Sequence, residues 1–408
     1  FHEMILWLYP NGAAPLTAML SKLKKVKETE PHFHWWTSKL PDKGITIASV
    51  YTDAALTTPV STGAVGAGSV LYVPLSADFS KQMRAGHQGL LRQTTLHSED
   101  INVKVIEVFR GTDTTSYAKC VTLAARTLTG VPDRFVCIGN INPEGSVRPA
   151  AYSFNTTEYG NQQQIFRTAL AQTRTDMGRK GRIGDSYKEL KRGALEDHSI
   201  EMEWAFMFGE QSWNLGDNGM PERTTQGIVP FVRQYASSNV MDCARDSDFA
   251  GAAWEDFGID ALEKAIQQSF KWGKAKEKVV FCGAGALAGV QKAVKGVSTY
   301  NIEAGTAQYG IQVVSLQSVF GKWQLILHPL WTHEPSQTNS LLAFEPSQLE
   351  YRYALDTKFE EDIHYGKGGG TGLDGKEEGY ITEAGLSFYH PELFLYMENV
   401  GQDSLLSS

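Results

Sequence analysis

Nothing in this chain marks a secretory route, a membrane span or a nucleophilic active site. Its four cysteines, Cys120, Cys137, Cys243 and Cys282, lie far apart and form no CxxC pair. That argues against a zinc cage and against a secreted disulfide framework, and it implies synthesis in a reducing cytoplasm. No apolar run approaches membrane-spanning length, since the uncharged stretch 5–20 is broken by Pro10, Asn11, Gly12 and Pro15. The same stretch lacks a basic start, which argues against a signal peptide. There is no GxSxG elbow, and no cysteine sits in a recognisable catalytic signature. Positive charge is not in excess either. With 38 basic and 46 acidic residues the net charge is −8, so the chain as a whole is repelled by a polyanion. Its densest basic stretch, Arg174, Arg179, Lys180 and Arg182, has no interleaved aromatics to stack bases and reads as a solvated connector.

What is present is length and patterning. A chain of 408 residues exceeds what one hydrophobic core usually serves, so two or more lobes are expected. Residues 1–39 combine a proline-broken start, a helical stretch over 17–27 and the aromatics Phe33, Trp35 and Trp36, which together read as an arm. From 45 to 136, short alternating runs at 45–50, 70–73, 101–105 and 120–123 are separated by Gly, Pro, Asp and Ser clusters and predict a small β-barrel or sandwich. A polar run, Asn161 to Gln164, then Ile165 and Phe166, leads to a long helix over 186–208. Ser186 and Glu189 form a capping box at its start, and Gly209 is placed to end it in the left-handed conformation. Leu190, Ala194, Met202, Ala205 and Phe206 make its apolar face, with Glu196, Asp197, Glu201 and Glu203 on the charged remainder. Farther on, a helix capped by Asp260 and closed by Gly273, a strand at 278–282, a helix at 286–294 and strands at 309–316 and 323–327 read as α+β or α/β. Strands at 349–354 and 380–388 follow, around a glycine-rich loop at 366–375.

The block from Tyr159 to Gly209, with His198-Ser-Ile-Glu-Met-Glu-Trp-Ala-Phe-Met-Phe-Gly209, resembles the major capsid proteins of tailed bacteriophages with the Hong Kong 97 phage capsid fold, in a siphophage-like group. So do Leu8-Tyr9-Pro10 through Ala14-Pro15-Leu16, His34-Trp35-Trp36, and Ile381 through Pro391-Glu-Leu before Met397-Glu-Asn-Val400. The resemblance covers most of the chain and is loosest over 218–255. It implies an α+β fold with five parts: an N-terminal arm (1–39), an extended-loop region carrying the β-rich insertion (40–158), a peripheral domain with its spine helix (159–240), an axial domain (241–335), and a return to the peripheral sheet (336–408). It further implies a structural protein that is not an enzyme. Copies would assemble as pentamers and hexamers into an icosahedral shell around double-stranded DNA, in the host cytoplasm, with scaffold, portal and decoration proteins as partners and no membrane. A net negative lining suits a shell that encloses DNA without gripping it. Trp35, Trp36, Ile165 and Phe166 are the candidates for contacts between subunits, and the same residue types equally suit the subunit's own core. The chain begins at Phe1 instead of methionine, as a processed, trimmed or partly recorded chain would.

Four stretches point toward other chemistry. Gly283-Ala-Gly285-Ala-Leu-Ala-Gly289 follows a strand, opens a helix and has Glu303 at a ribose-binding distance, the basis of a rival reading as a nucleotide-dependent oxidoreductase. Its spacing is GxGxxxG, and a small-residue turn of that kind also simply lets a helix pack close to a strand. Gly370 to Lys376 nearly spells a phosphate loop, yet Glu377 stands where a hydroxyl would bind magnesium. His32 with His34, and His198 with Glu201, fall short of the three or four ligands a metal needs and read as surface or interface histidines. No cofactor or metal is therefore expected. An encapsulin-like compartment of the same fold is the other rival.

Overall fold

A computed structural model describes residues 14–38, 42–94, 100–147, 156–177, 186–273, 275–294, 302–304, 313–361 and 375–406. The chain forms two compact units, one of Phe1–Thr37 with Glu158–Ser408, the other of Ser38–Thr157.

The larger unit begins with helix α1 (Pro15–Leu20), strand β1 (Lys25–Lys27) and strand β2 (His32–Thr37). The helix expected over 17–27 stops at Leu20, because Lys25, Val26 and Lys27 instead pair in parallel with Tyr351, Arg352 and Tyr353. Backbone pairing across the fold overrides a weak local propensity. Along β2 burial alternates, with Phe33 and Trp35 at 3% exposure and Trp36 at 61%, as the two-residue period of a strand requires.

The smaller unit contains β3 (Gly44–Thr46), β4 (Gly63–Val65), β5 (Val70–Pro74), α2 (Ala77–Gln82), β6 (His87–Arg92), β7 (Ile101–Phe109), β8 (Tyr117–Thr122), β9 (Arg126–Leu128) and β10 (Arg134–Asn140). Six of these strands form an antiparallel sheet in the order β3-β10-β6-β7-β8-β5. Past β3 the chain reaches the opposite edge, where Tyr51 bridges Tyr72 of β5. The two edges are thereby joined and the sheet closes as a small barrel around Val73, Leu91, Val103, Val105, Ala118, Cys120 and Phe135. Gly89 lies directly under the Phe135 ring, where a Cβ would clash.

The chain re-enters the larger unit through β11 (Thr157–Gln162), which pairs with β2. Next come β12 (Gln164–Thr173), α3 (Arg174–Met177), the long α4 (Ser186–Phe208), a hairpin of β13 (Ser212–Leu215) and β14 (Pro221–Thr224), α5 (Ile228–Tyr235), β15 (Val240–Asp242) and α6 (Trp254–Phe270). The remainder is β16 (Glu277–Cys282), α7 (Ala284–Val294), β17 (Ile302–Ala304), β18 (Val313–Gln317), β19 (Lys322–Leu327), α8 (Pro329–His333), β20 (Leu341–Phe344), β21 (Leu349–Glu360), β22 (Gly375–Phe388) and β23 (Leu395–Glu398). Most of the glycine-rich loop expected at 366–375 lies outside the described residues, and Gly375 opens β22.

Two sheets organise this unit. The strands β1-β21-β22-β12 form one, with α4 packed against it; β15-β23-β20-β16-β19-β18-β17 form the other, a mixed sheet. The apolar run Val279 to Cys282 is continuous because both faces of the mixed sheet are covered. Val280 and Cys282 face a core made with α6 and α7, while Val279 and Phe281 face one shared with α4, α5 and α8.

Helix α6 starts six residues before the expected cap at Asp260. The carboxylate of Asp403 accepts from the Trp254 backbone N–H at 2.8 Å, so the cap comes from the far end of the chain. Gly209 ends α4 as expected, but without the left-handed geometry. It is glycine because a Cβ there would press on the Ala205 and Thr225 carbonyls.

Candidate assembly surface

Glu203 fixes the arm to the long helix. From α4 its carboxylate accepts from the Leu16 N–H (2.8 Å), the Thr17 N–H (2.7 Å) and the Thr17 hydroxyl (2.7 Å). These are free donors at the start of α1, where a negative charge also meets the favourable end of the helix dipole. The His328 Nε2 lies 2.9 Å from the same carboxylate, and both side chains are only 1% exposed. Phe281 meets the His328 ring edge-on and Trp331 stacks on it. Helical periodicity places Glu203 on the charged remainder of the helix, but it marks only which residues are polar. The one hint was a carboxylate beside the apolar positions Met202 and Phe206.

With that latch in place, Leu16, Met19, Leu20, Phe33 and Trp35 join the subunit's own core. Trp35 packs against Tyr159, Phe231 and Phe388. Phe166 points inward onto Phe206, with its neighbour Ile165 facing out at 49% exposure. Of the four candidate contact residues, then, Trp35 and Phe166 lie inside the subunit, and Trp36 and Ile165 lie on its surface.

Ile165 has exposed company. The β13–β14 hairpin, pinned to the sheet by Arg223 on Glu383 (3.3 Å) and by the Thr225 N–H on the Gln164 side chain (3.1 Å), carries Trp213, Leu215 and Met220 at 52%, 65% and 65% exposure. Trp213 stands opposite Arg223 and Leu215 opposite Pro221, so these side chains share one face of the hairpin. A cavity of about 520 Å³ runs between Ile165 and the hairpin, lined by Asp217, Met220, Pro221, Glu222 and Arg223. Exposed apolar clusters of this kind mark protein contact sites.

The competing chemistries find no support in the geometry. Gly283, Gly285 and Gly289 do sit at a strand-to-helix turn, but the chain itself fills the space above them. A Cβ on each would meet Thr338, Asn339 and Gly401 respectively, leaving no room for a pyrophosphate. Residues 370–374 of the phosphate-loop-like stretch lie outside the described residues, and Lys376 belongs to β22 and pairs with Glu378. His198 is not at a surface: it is 1% exposed and bridges Thr168 (2.9 Å) and Thr382 (2.8 Å), with burial lowering its pKa. Among the described residues no group of three or more His, Cys, Asp or Glu side chains is placed to hold a metal ion, and no helix is long and apolar enough to cross a membrane.

An arm latched to a long helix, a sheet beneath that helix, and a second mixed sheet with flanking helices make an α+β subunit. The chain belongs to the SU10 major capsid protein family, whose model matches residues 1–401. It is a structural component of the phage virion, not an enzyme. It is similar to the major capsid protein of Pseudomonas phage PaMx41, 27% identical over 379 residues that cover 92% of this chain and 83% of that protein. Solved structures with some likeness include the capsid of a native GTA particle (TM-score 0.44, 8% identity, 98% of this chain and 93% of that one). A second is from Microbacterium phage Oxtober96 (TM-score 0.40, 10% identity, 84% and 94%). A third is an encapsulin complex from Synechococcus elongatus (TM-score 0.40, 13% identity, 60% and 76%).

Proposed function

We propose that copies of this chain join head to tail into pentamers and hexamers, which close into an icosahedral shell around double-stranded DNA in the host cytoplasm. Heterologous contacts whose rotation closes give such rings. In this reading the mixed sheet with α6 and α7 is the axial domain, α4 with the four-stranded sheet is the peripheral domain, and the segment between β2 and β11 belongs to the extended loop. Scaffold, portal and decoration proteins are its further partners. The observation that carries the proposal is the exposed set Trp36, Ile165, Trp213, Leu215 and Met220, large apolar side chains that the subunit's own cores leave in solvent. These residues are the proposed contacts between copies, each modest, and together hard to release because all must let go at once.

Negative-stain microscopy of the purified protein tests it. Closed shells or rings with fivefold and sixfold symmetry are expected. A discrete monomer or dimer under all conditions overturns the proposal, and shells filled with a packaged enzyme in place of DNA overturn its cargo.

A further inference from the structure

The inserted barrel carries a cavity that the shell-building role does not use. About 400 Å³ in volume, it lies where β6 and β10 begin and end, lined by Lys43, Arg84, His87, Cys137, Asn140 and Asn142. The backbone shapes it. Residues 84–87 form a tight turn, closed by the His87 N–H on the Arg84 carbonyl (3.2 Å), with Gly86 at φ 90°. The turn is fixed from two sides, as the Gly86 N–H donates to Val105 and the Gly86 carbonyl accepts from Ile141. A β-bulge between Cys137 and Gly139 bends β10 away at the same level, and the Cys137 N–H ties down the segment bearing Lys43 (2.7 Å).

The chemistry of the lining is one-sided. Lys43 and Arg84 bring positive charge, the asparagines bring amide donors, and no carboxylate is among the lining residues. Cys137 supplies no negative charge, since burial raises its pKa. Burial, then Arg84 and Lys43, lower the pKa of His87, so both cations are close enough to act on the imidazole. The His87 Nδ1 is itself buried and has no hydrogen-bond partner.

We propose that this cavity binds a phosphate-bearing small anion, held by Lys43 and Arg84 beside the His87 ring. Guanidinium and ammonium groups are the usual phosphate partners. The volume exceeds that of a lone phosphate and falls in the range of small-ligand sites, so a phosphate carried on a larger body also fits.

Equilibrium dialysis of the full-length protein against radiolabelled inorganic phosphate tests this, with a nucleoside monophosphate and succinate as parallel probes. Saturable binding of about one phosphate per chain is expected, with half-saturation below about 10 mM. Lys43→Glu and His87→Ala should each weaken it at least tenfold, and the charge-matched control Arg126→Glu should leave it within twofold. Lys43 is exposed, so its variant keeps the test open should His87→Ala fail to fold. Tighter binding of the nucleoside monophosphate than of phosphate assigns the site to a nucleotide; equal binding assigns it to free phosphate. Absence of saturation, equal weakening by Arg126→Glu, or succinate binding as tightly as phosphate overturns the proposal.

Discussion

In the larger unit a single carboxylate, Glu203, holds backbone 187 residues away, and β1 pairs with a strand more than 300 positions downstream. In the inserted barrel, β6, β7 and β8 pair with their neighbours in sequence, and the core residues among those described come from one segment, 47–135. The first region exists only once distant segments have met; the second has a core of its own.

The sharpest way to break this contrast is to cut the latch. Glu203→Ala leaves the start of α1 and His328 without their shared acceptor inside a closed core. Buried donors left without an acceptor cost about 1–3 kcal/mol each, so a loss of about 4 kcal/mol is expected. Unfolding in urea should show that loss, and limited proteolysis should find 14–37 newly accessible. Stability within about 1 kcal/mol of the parent would mean that the arm is held by its apolar residues alone.

Phe135→Ala makes the complementary cut in the barrel. The ring is fully buried, meets Phe79 edge-on and covers Gly89, so its removal should cost the barrel about 3 kcal/mol. Hydrogen exchange should then rise across 44–140 and stay unchanged in α4 and β16. Equal loss of protection in both units would show that the barrel does not have an independent core after all.

A third test concerns the body alone. Lys278 is 1% exposed, its ammonium donates to the Leu393 carbonyl, and burial lowers its pKa to about 8. Since the folded value lies below the ordinary 10.5, the unfolded chain binds more protons between about pH 8 and 10. The native state therefore gains stability as pH rises through that window. Relative to Lys278→Met, the parent should gain about 2 kcal/mol between pH 8 and 10 in paired urea titrations. Parallel curves for the two proteins would mean that Lys278 keeps its ordinary proton affinity.

The same contrast explains what was legible in the sequence. Four of the barrel strands (β3, β5, β7 and β8), the 186–208 helix, β16 and α7 show in local alternation or helical spacing, whereas β6 and β10 do not. Other features depend on residues that only the finished fold brings near. Local pattern predicts helix where β1 stands, because Tyr351–Tyr353, its pairing partner, gives no local sign. The start of α6 was misplaced because its cap is Asp403. Glu203 looked solvated because α1 and His328 are invisible from within the helix. For the candidate surface, alternation alone separates Trp35 from Trp36 and Ile165 from Phe166, but it does not say which member of each pair faces inward. The hairpin bearing Trp213 and Leu215 leaves no sign in the sequence, since four residues per strand are too few for a periodic signal.

That hairpin supplies the smallest change to the fold and the clearest separation of folding from assembly. Trp213 and Leu215 stand more than half in solvent, so replacing both with Ser removes only part of a side chain's worth of burial, and unfolding should shift by about 1–2 kcal/mol. If the hairpin face lies between copies, the same change deletes two large apolar contacts from every subunit junction. Because one such junction recurs throughout a closed shell, even a modest loss at each multiplies. Sedimentation of the double variant should show folded, unassembled subunits or incomplete rings under conditions where the parent forms shells. Normal shells from the Trp213→Ser, Leu215→Ser protein would remove the hairpin from the contact surface and leave Trp36 and Ile165 to carry it.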